Sequence, residues 1–264
     1  MGNISYKPLI EDMVWSYSRI ESFNDCPYRF FLKYIRQYSD SNKFYASYGS
    51  FMHKLLEKFY KKEITKSEML STFLSDFSKE VQGARPKSSI IENYIEQGCE
   101  YLRSFQPFPF NMIDVEKRVE FKIGEYSFIG YIDYLGEKNG NIYVVDNKSR
   151  ALKPRSKRNE PTNNDKELDA MLRQLYLYAA AVKQEYGVFP KALCFNCFRN
   201  NTFIKEQFDI RKYNETIEWA INSIEKIKET EEFEPNQDFF SCYYICGVND
   251  HCKFDIESWE GRRR

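Results

Sequence analysis

The sequence predicts an α/β fold, with a central mixed sheet flanked by helices. Short segments of alternating character bounded by turn residues favour strands, and they lie at 112–123, 127–150 and 194–208. Five longer segments carry apolar residues at helical spacing, at 48–62, 66–81, 89–105, 165–186 and 212–230. The predicted strands lie between groups of predicted helices, an order that favours a sheet with helices packed against it.

The composition limits the functional classes. Lys and Arg together number 39, as do Asp and Glu, so net charge gives no indication of a nucleic-acid partner. No apolar run approaches the roughly 20 residues of a membrane helix, and the N-terminus lacks the basic-then-apolar order of a secretory signal. We therefore expect a cytoplasmic protein without membrane contact. Its seven cysteines are then thiols or metal ligands rather than disulfides.

The first elements in the chain are two short helices separated by a break. Ser18-x-x-Glu21 is a capping-box pattern and predicts the start of the first helix. Pro27 is suited to the first turn of the second. Cys26 then lies in the junction, where a thiolate can be presented on a rigid turn, although a single cysteine is more often a small buried apolar residue.

A helical section follows this junction. The helix predicted at 48–62 contains His53, one of two histidines in the chain, and a single helical histidine is usually structural or solvated. We interpret Cys99, on the helix at 89–105, as a core residue. The two prolines of QPFPF (106–110) end the section, because they cannot continue a helix.

The segment 127–150 reads as two strands joined by Asn139-Gly140, a favoured pair for a two-residue type I′ turn. If these residues form the turn, Asp133 faces Asp146 across the hairpin, and Lys148 points to the same side of the sheet. Two opposed carboxylates repel each other, so a sheet would not select them for stability. A divalent metal ion between them, with the Lys148 ammonium beside it, is the natural compensation and indicates a hydrolytic site.

Two neighbouring features are open to more than one interpretation. Glu120, on the strand predicted at 112–123, is either a further ligand of the metal site or an exposed strand carboxylate. The stretch 148–158 contains six basic residues and no acidic one. It is either a solvated loop or, because it follows the suspected metal site, a phosphate-binding loop.

The second half of the chain supplies a supporting helix and another hairpin. Gln174 and Tyr178 are four residues apart on the helix at 165–186 and share one face. The segment 194–208 reads as a hairpin around Asn200-Asn201. Cys194 and Cys197 lie on one strand of it and point to opposite faces, so they are poorly placed to chelate one metal together.

The C-terminal region is dense in cysteine. Cys242, Cys246 and Cys252 fall within eleven residues, on a segment rich in turn residues, which suggests metal-ligand geometry. An all-thiolate zinc or iron–sulfur site needs a fourth ligand. The candidates are Cys26, the Cys194/Cys197 pair and His251. Cys26 is favoured, and a metal bound there would join the two ends of the chain.

Five motifs occur in the order found in one nuclease family: SYSRIESFNDCPYRFFLKY, the His53 helix, GYID, VVDNKS and RQLYLY. With them, and with one early and three late cysteines, the chain resembles the RecB-like PD-(D/E)XK nucleases over roughly residues 16–254. The resemblance is nearest to their iron–sulfur branch, which includes the AddB nuclease domain and the CRISPR adaptation nucleases.

The resemblance implies one domain, 1–264, with a restriction-endonuclease-like core and an iron–sulfur staple joining the chain ends. A helical lobe would occupy about 48–110, the catalytic core about 111–210, and a cysteine-rich segment about 236–254.

The resemblance also assigns roles to individual residues. His53, Asp133 and Asp146 would bind Mg²⁺ or Mn²⁺, and Lys148 would orient the attacking water and offset charge on the phosphate. Gln174 and Tyr178 match a family motif that supports the site and the DNA strand. The residues matching the ligands of a [4Fe-4S] cluster are Cys26, Cys242, Cys246 and Cys252.

The sequence departs from the family pattern in two places. The middle cysteine spacing is Cys-x3-Cys, where two intervening residues are commoner, and this affects cluster geometry. Asn147 replaces the usual apolar or aromatic residue within D-x-K, but it points to the opposite strand face.

The expected activity is Mg²⁺- or Mn²⁺-dependent hydrolysis of DNA, as an exonuclease on single strands or duplex ends in recombination, repair or phage DNA processing. The sequence contains no helicase motif, so the nuclease acts alone or with a helicase or recombination partner. The alternatives are a CRISPR-type nuclease that trims DNA for integration and a non-catalytic iron–sulfur DNA-binding scaffold.

Overall fold

A five-stranded sheet forms the centre of the protein in the computed structural model, which describes residues 6–254. The strands lie in the order in which they occur in the chain: β1 (Asn111–Ile123), β2 (Tyr126–Lys138), β3 (Asn141–Lys148), β4 (Ala192–Cys197) and β5 (Thr202–Gln207). Neighbours are antiparallel except β3 and β4, which are parallel. The sheet is therefore mixed, as the sequence predicts, and residues 1–5 and 255–264 of the predicted domain lie outside the described range.

Eight α-helices surround this sheet in the described range, and the α/β class is confirmed. They are α1 (Lys7–Glu11), α2 (Tyr17–Asp25), α3 (Pro27–Phe30), α4 (Phe44–Tyr60), α5 (Lys66–Glu80), α6 (Ser88–Ser104), α7 (Asn163–Tyr186) and α8 (Ile210–Glu229). Two π-helical turns, Phe31–Ile35 and Ser241–Ile245, and a 3₁₀ turn, Asn249–His251, complete the regular structure. Within residues 6–254 no helix is both long and apolar enough to cross a membrane.

The start of α2 differs from the prediction. Ser16, not Ser18, is the N-cap: its backbone is extended and its Oγ accepts a hydrogen bond from the Arg19 N–H at 3.3 Å. Ser18 already has helical backbone in the first turn, and a capping side chain must come from the residue before the helix. The prediction for α3 is confirmed, since Pro27 begins it and Cys26 caps it.

The β2–β3 hairpin forms as predicted. Asn139 and Gly140 have φ of 55° and 76°, the left-handed values that a type I′ turn requires at both positions. Lys138 pairs with Asn141, and the ladder continues to Tyr134 opposite Val145. Asp133 and Asp146 are the next residues on the two strands. The turn therefore determines which carboxylates meet at the far end of the hairpin.

Helices cover both faces of the sheet. Adjacent residues of β3 illustrate this, because Val144 belongs to the core cluster that contains α7 while Val145 belongs to the cluster under α4, α5 and α6. Both valines are fully buried, as is typical of a central strand. Cys194 and Cys197 also fall in different clusters, which agrees with their predicted opposite orientation.

The basic stretch after β3 is a loop anchored to the start of α7. Asp165, 2% exposed, accepts hydrogen bonds from the backbone N–H and hydroxyl of both Ser156 and Thr162, at 2.7–2.8 Å. Arg155 is paired with Asp169 and Glu206. Part of the basic stretch therefore serves to hold the loop in place.

We predict that Asp165→Asn destabilises the fold in a pH-dependent manner. Hydrogen bonds from Ser156 and then Thr162 hold the pKa of Asp165 well below its usual range. The unfolded carboxyl, with a pKa of about 3.9, takes up protons first, so the stabilisation is present above about pH 4 and is lost as the pH falls towards the folded-state pKa. In urea unfolding, the wild type should exceed the variant clearly at neutral pH, and the difference should shrink in acid. A difference independent of pH would contradict this account.

Candidate metal centre and cysteine site

His53, in the middle of α4, points its ring at the end of the β2–β3 hairpin. Its Nε2 lies 3.0 Å from the backbone carbonyl oxygen of Asn147, which can only accept, so Nε2 carries the hydrogen in this contact. Nδ1 faces Asp133 Oδ2 at 3.5 Å and Glu116 Oε1 at 3.7 Å. If the imidazole is neutral, the lone pair of Nδ1 points at the two negatively charged carboxylates. A proton or a metal ion between these atoms removes the repulsion.

Glu116 is the site residue that the sequence interpretation missed. Val115 pairs with Tyr134 and Lys117 with Ile132, so Glu116 lies opposite Asp133. Its own backbone is left-handed, with φ of 51°. One ligand atom each from His53, Glu116 and Asp133 lie within 4.8 Å of one another, and within residues 6–254 this is the only such group.

A signal for Glu116 was present in the sequence. Gly124 (φ 58°) and Glu125 form the turn between β1 and β2, and Ile123 pairs with Tyr126. Counting back from this turn places Glu116 opposite Asp133, just as counting back from Asn139-Gly140 places Asp146 there. Glu120 instead pairs with Ile129, is exposed, and forms an ion pair with Arg118. Of its two interpretations, the exposed strand carboxylate is the one that the structure supports.

Asp146 lies beside this group without joining it. The residue is 3% exposed, and its Oδ2 is 2.8 Å from Lys148 Nζ. That oxygen accepts no hydrogen bond of good geometry from the described residues, although a buried carboxylate normally needs one. Asp133 Oδ2, by contrast, accepts the Asn147 N–H at 2.6 Å. The incompletely satisfied Asp146 oxygen is suited to a cation.

The electrostatics of the site also favour a bound cation. Burial and then the charge of Asp146 raise the pKa of Asp133, while His53 opposes the shift. Burial disfavours a charged His53, but Asp133, Glu116 and Asp146 outweigh it and raise its pKa to about 9. The surrounding carboxylates thus favour an added positive charge at this position. The imidazole and carboxylate donors of the site fit a divalent ion of the Mg²⁺ or Mn²⁺ type.

Lys148, Gln174 and Tyr178 form a hydrogen-bonded chain behind the carboxylates. Lys148 Nζ donates to Gln174 Oε1 at 2.8 Å, and Gln174 Nε2 donates to the Tyr178 hydroxyl at 3.1 Å. Tyr178 is buried against Gly130 of β2, where an added Cβ would lie 2.5 Å from its ring. These hydrogen bonds fix the Lys148 ammonium next to Asp146. The structure thus places all the residues predicted to be catalytic in one region.

The family model described as "PD-(D/E)XK nuclease superfamily" matches residues 14–253. The chain belongs to this superfamily. The central sheet, with Asp133 on β2 and Asp146 and Lys148 on β3, is consistent with the restriction-endonuclease-like core of PD-(D/E)XK nucleases.

One solved structure shows a similar fold. A protein from Eubacterium rectale described as "Putative exonuclease" matches with a TM-score of 0.53 and 13% identity, covering 99% of this chain and 97% of that one. A protein named SSO0001 matches with a TM-score of 0.32 and 16% identity, over 94% and 93% of the two chains. No curated protein matches the sequence.

This PD-(D/E)XK nuclease also gathers four of its seven cysteines around one small cavity: Cys26, Cys242, Cys246 and Cys252. The other candidates for the fourth ligand are elsewhere, because Cys194 and Cys197 are buried in β4 and His251 stacks on Tyr38 at 3.9 Å. The structure thus brings Cys26 to the three late cysteines.

The environment of these thiols suits a bound group. The backbone N–H groups of Arg29 and Asn236 both donate to Cys26 Sγ at 3.4 Å, which holds this sulfur at the wall of the cavity. Burial raises the pKa of the Cys246 thiol, and neighbouring Cys26 and Cys242 add to the shift. A positively charged metal or cluster would reverse this preference and hold the sulfurs as thiolates.

We predict that Glu116→Gln weakens binding of a divalent cation and that Glu120→Gln does not. Both substitutions remove one carboxylate from β1, but only Glu116 faces His53 and Asp133. Mn²⁺ affinity measured by calorimetry should fall at least roughly 10-fold for Glu116→Gln, the loss that even a supporting partner of a ligand causes. Equal affinities for the two variants would show that Glu116 is not a ligand.

Proposed function

We propose that the protein is a Mg²⁺- or Mn²⁺-dependent deoxyribonuclease that hydrolyses phosphodiester bonds, acting as an exonuclease on single-stranded DNA or DNA ends. The observation that carries this proposal is the meeting of His53, Glu116 and Asp133 with buried Asp146 and its neighbour Lys148. Membership of the nuclease superfamily supports DNA as the substrate. Similarity to the Eubacterium rectale protein, whose description names an exonuclease, supports action at ends.

In this mechanism, His53, Glu116 and Asp133 would hold the divalent cation, with Asp146 beside them as a further ligand. When bound, the cation supplies polarisation of the scissile phosphate and a lowered pKa for the attacking water. The Lys148 ammonium lies beside Asp146 and stabilises negative charge that develops on the phosphate. Because the lysine position is fixed in advance, little reorganisation is needed during the reaction.

Gln174 and Tyr178 act as positioning residues. Gln174 directs Lys148 by accepting from its Nζ, and Tyr178 accepts from Gln174 in turn. Both side chains come from α7, which packs against β1, β3 and β4. A rigid helix therefore controls the orientation of the lysine from outside the metal site.

We assign the cysteine site to a [4Fe-4S] cluster held by Cys26, Cys242, Cys246 and Cys252, and the protein to the RecB-like iron–sulfur branch. The sulfur spacing supports a cluster over a single zinc ion. Tetrahedral zinc at about 2.3 Å would bring its thiolates to about 3.8 Å from one another, whereas among the described residues no three of these sulfurs lie mutually within 4.8 Å. A cluster has larger separations between its ligands, and it would staple the segment after α2 to the C-terminal segment.

The alternative functions differ from an independent exonuclease in what they require. A CRISPR-type trimming nuclease would need partner proteins for activity, and a helicase or recombination partner would deliver DNA to an otherwise similar site. A non-catalytic scaffold would bind DNA without hydrolysis. The complete catalytic set favours the enzyme over the scaffold.

We predict that the purified protein releases nucleotides from linear DNA only with Mg²⁺ or Mn²⁺. Asp146→Asn and Lys148→Met should each lower the rate roughly 100-fold or more, because each removes an electrostatic contact to the reacting centre. Lys138→Met, at the exposed opposite end of the same hairpin, is the matched control and should retain full activity. Comparison of free-ended with circular DNA identifies an exonuclease. Full activity of both site variants would refute the assignment of the site.

We predict that anaerobically purified protein contains iron and sulfide with visible charge-transfer absorbance. The Cys246→Ser variant should lose the iron, the sulfide and the absorbance. The Cys99→Ser variant should retain all three, since Cys99 is buried on α6 and does not line the cysteine cavity. Zinc in place of iron in the wild type, or equal iron in the two variants, would contradict the cluster assignment.

A further inference from the structure

A groove of about 700 Å³ opens beside Ser149 and Arg150, the two residues that follow Lys148 in the chain. It passes between α4, α6 and the C-terminal segment, and Cys26, Cys242 and Cys246 contribute to one wall. The groove is therefore continuous with the end of β3 that carries the proposed catalytic lysine. None of the roles assigned above uses its remaining wall.

That wall is aromatic. The ring centroids of Tyr45 and Tyr94 are 5.5 Å apart, and those of Tyr45 and Phe240 are 5.6 Å apart. Phe240 is 49% exposed and Tyr45 is half-buried, although a large ring gains stability from full burial. We name this surface, formed by Tyr45, Tyr94, Phe240 and Arg199, the aromatic groove.

Arg199 contributes a positive charge to this wall and is held there by neutral partners. Its guanidinium lies 4.2 Å from the centre of the Tyr94 ring, and it donates to the Tyr94 hydroxyl and to Gln97 Oε1, both at 3.0 Å. Both acceptors are neutral, and within residues 6–254 Arg199 forms no ion pair. A half-buried guanidinium held in this way retains its attraction for an anion.

Neither of the two acidic residues that line the groove in the described range forms an ion pair with Arg199. Asp25 is paired with Arg29 at 2.7 Å. Asp238 accepts the Ser241 N–H at 2.8 Å, which keeps it at the start of a π-helical turn. The groove thus combines partly exposed aromatic rings with an unpaired guanidinium. These are the two features that binding of single-stranded nucleic acid requires.

We propose that the aromatic groove binds single-stranded DNA, with Tyr45 and Phe240 stacking on an unpaired base and Arg199 contacting an adjacent phosphate. The proposal rests on the nuclease function and deepens it, because it names the strand form that the site selects. Bases in a duplex already stack on their neighbours and cannot present their faces to these rings. The groove therefore favours substrates whose bases are unpaired before they reach Lys148.

The test measures binding separately from catalysis. Fluorescence anisotropy in EDTA gives the affinity of the anaerobically purified full-length protein for labelled oligothymidine, for the same backbone with abasic sites, and for a hairpin-capped duplex. The groove variants are Tyr45→Leu and Phe240→Leu, which replace a ring by another apolar side chain, and Arg199→Gln, which removes the charge but keeps a long polar side chain. Phe203→Leu and Arg211→Gln are matched controls, because Phe203 (39% exposed) and Arg211 lie outside the groove.

The two kinds of groove variant should behave differently. The aromatic variants should weaken oligothymidine binding at least about 5-fold, as expected for loss of one base stack, and leave the abasic strand and the duplex unaffected. Arg199→Gln should weaken binding to both single strands and reduce the slope of log affinity against log salt by about 0.7. Controls should match the wild type, and melting temperatures should exclude misfolded variants.

Failure of the groove is distinguishable from failure of the nuclease. Metal-dependent hydrolysis of bis(p-nitrophenyl) phosphate, a diester without a base, reports the catalytic site alone and should be equal in the wild type and the groove variants. If folded Tyr45→Leu and Phe240→Leu bind oligothymidine as tightly as the wild type, the groove proposal is overturned whatever the hydrolysis shows. If binding changes as expected and the wild type hydrolyses no diester, the groove stands and the nuclease proposal fails.

Discussion

The repulsion among carboxylates on three adjacent strands is the constraint around which the rest of the protein is arranged. Glu116, Asp133 and Asp146 come from β1, β2 and β3, and two tight turns fix the strand register that brings them together. A change of register could relieve the repulsion, but it would move the side chains of a strand to the opposite face and disrupt the packing of both core clusters. The charge must therefore be balanced by groups supplied from elsewhere, and these groups define the function.

Two helices from opposite faces of the sheet supply that balance. His53 reaches the carboxylates from α4, while Gln174 of α7 fixes the ammonium of Lys148 beside Asp146. Further hydrogen bonds join the segment before α4 to the cysteine-rich segment: the Ser41 N–H donates to the Gly247 carbonyl oxygen at 2.6 Å, and Lys43 donates to Asn249 at 2.8 Å. The cysteine-rich segment is thus held by ordinary hydrogen bonds as well as by any bound cluster.

Local chemistry made much of this arrangement predictable from the sequence. Asn139-Gly140 determines a turn by its backbone preference alone, and the ends of the long helices follow from apolar spacing and proline. Glu116 and Ser16 were missed for two different reasons. The register of β1 depends on a turn at Gly124 that lacks an Asn-Gly signature, and choosing between serines as the cap depends on where the chain enters the helix. The meeting of Cys26 with distant cysteines is a tertiary property that spacing alone could not decide.

Anomalous diffraction from crystals grown with Mn²⁺ tests most directly whether the carboxylate cluster binds a divalent cation, because it locates the ion without assuming an activity. We expect one strong peak bounded by His53, Glu116 and Asp133, next to the Asp146 carboxylate. Manganese bound only at exposed carboxylates, and none between His53, Asp133 and Glu116, would contradict this role of the cluster.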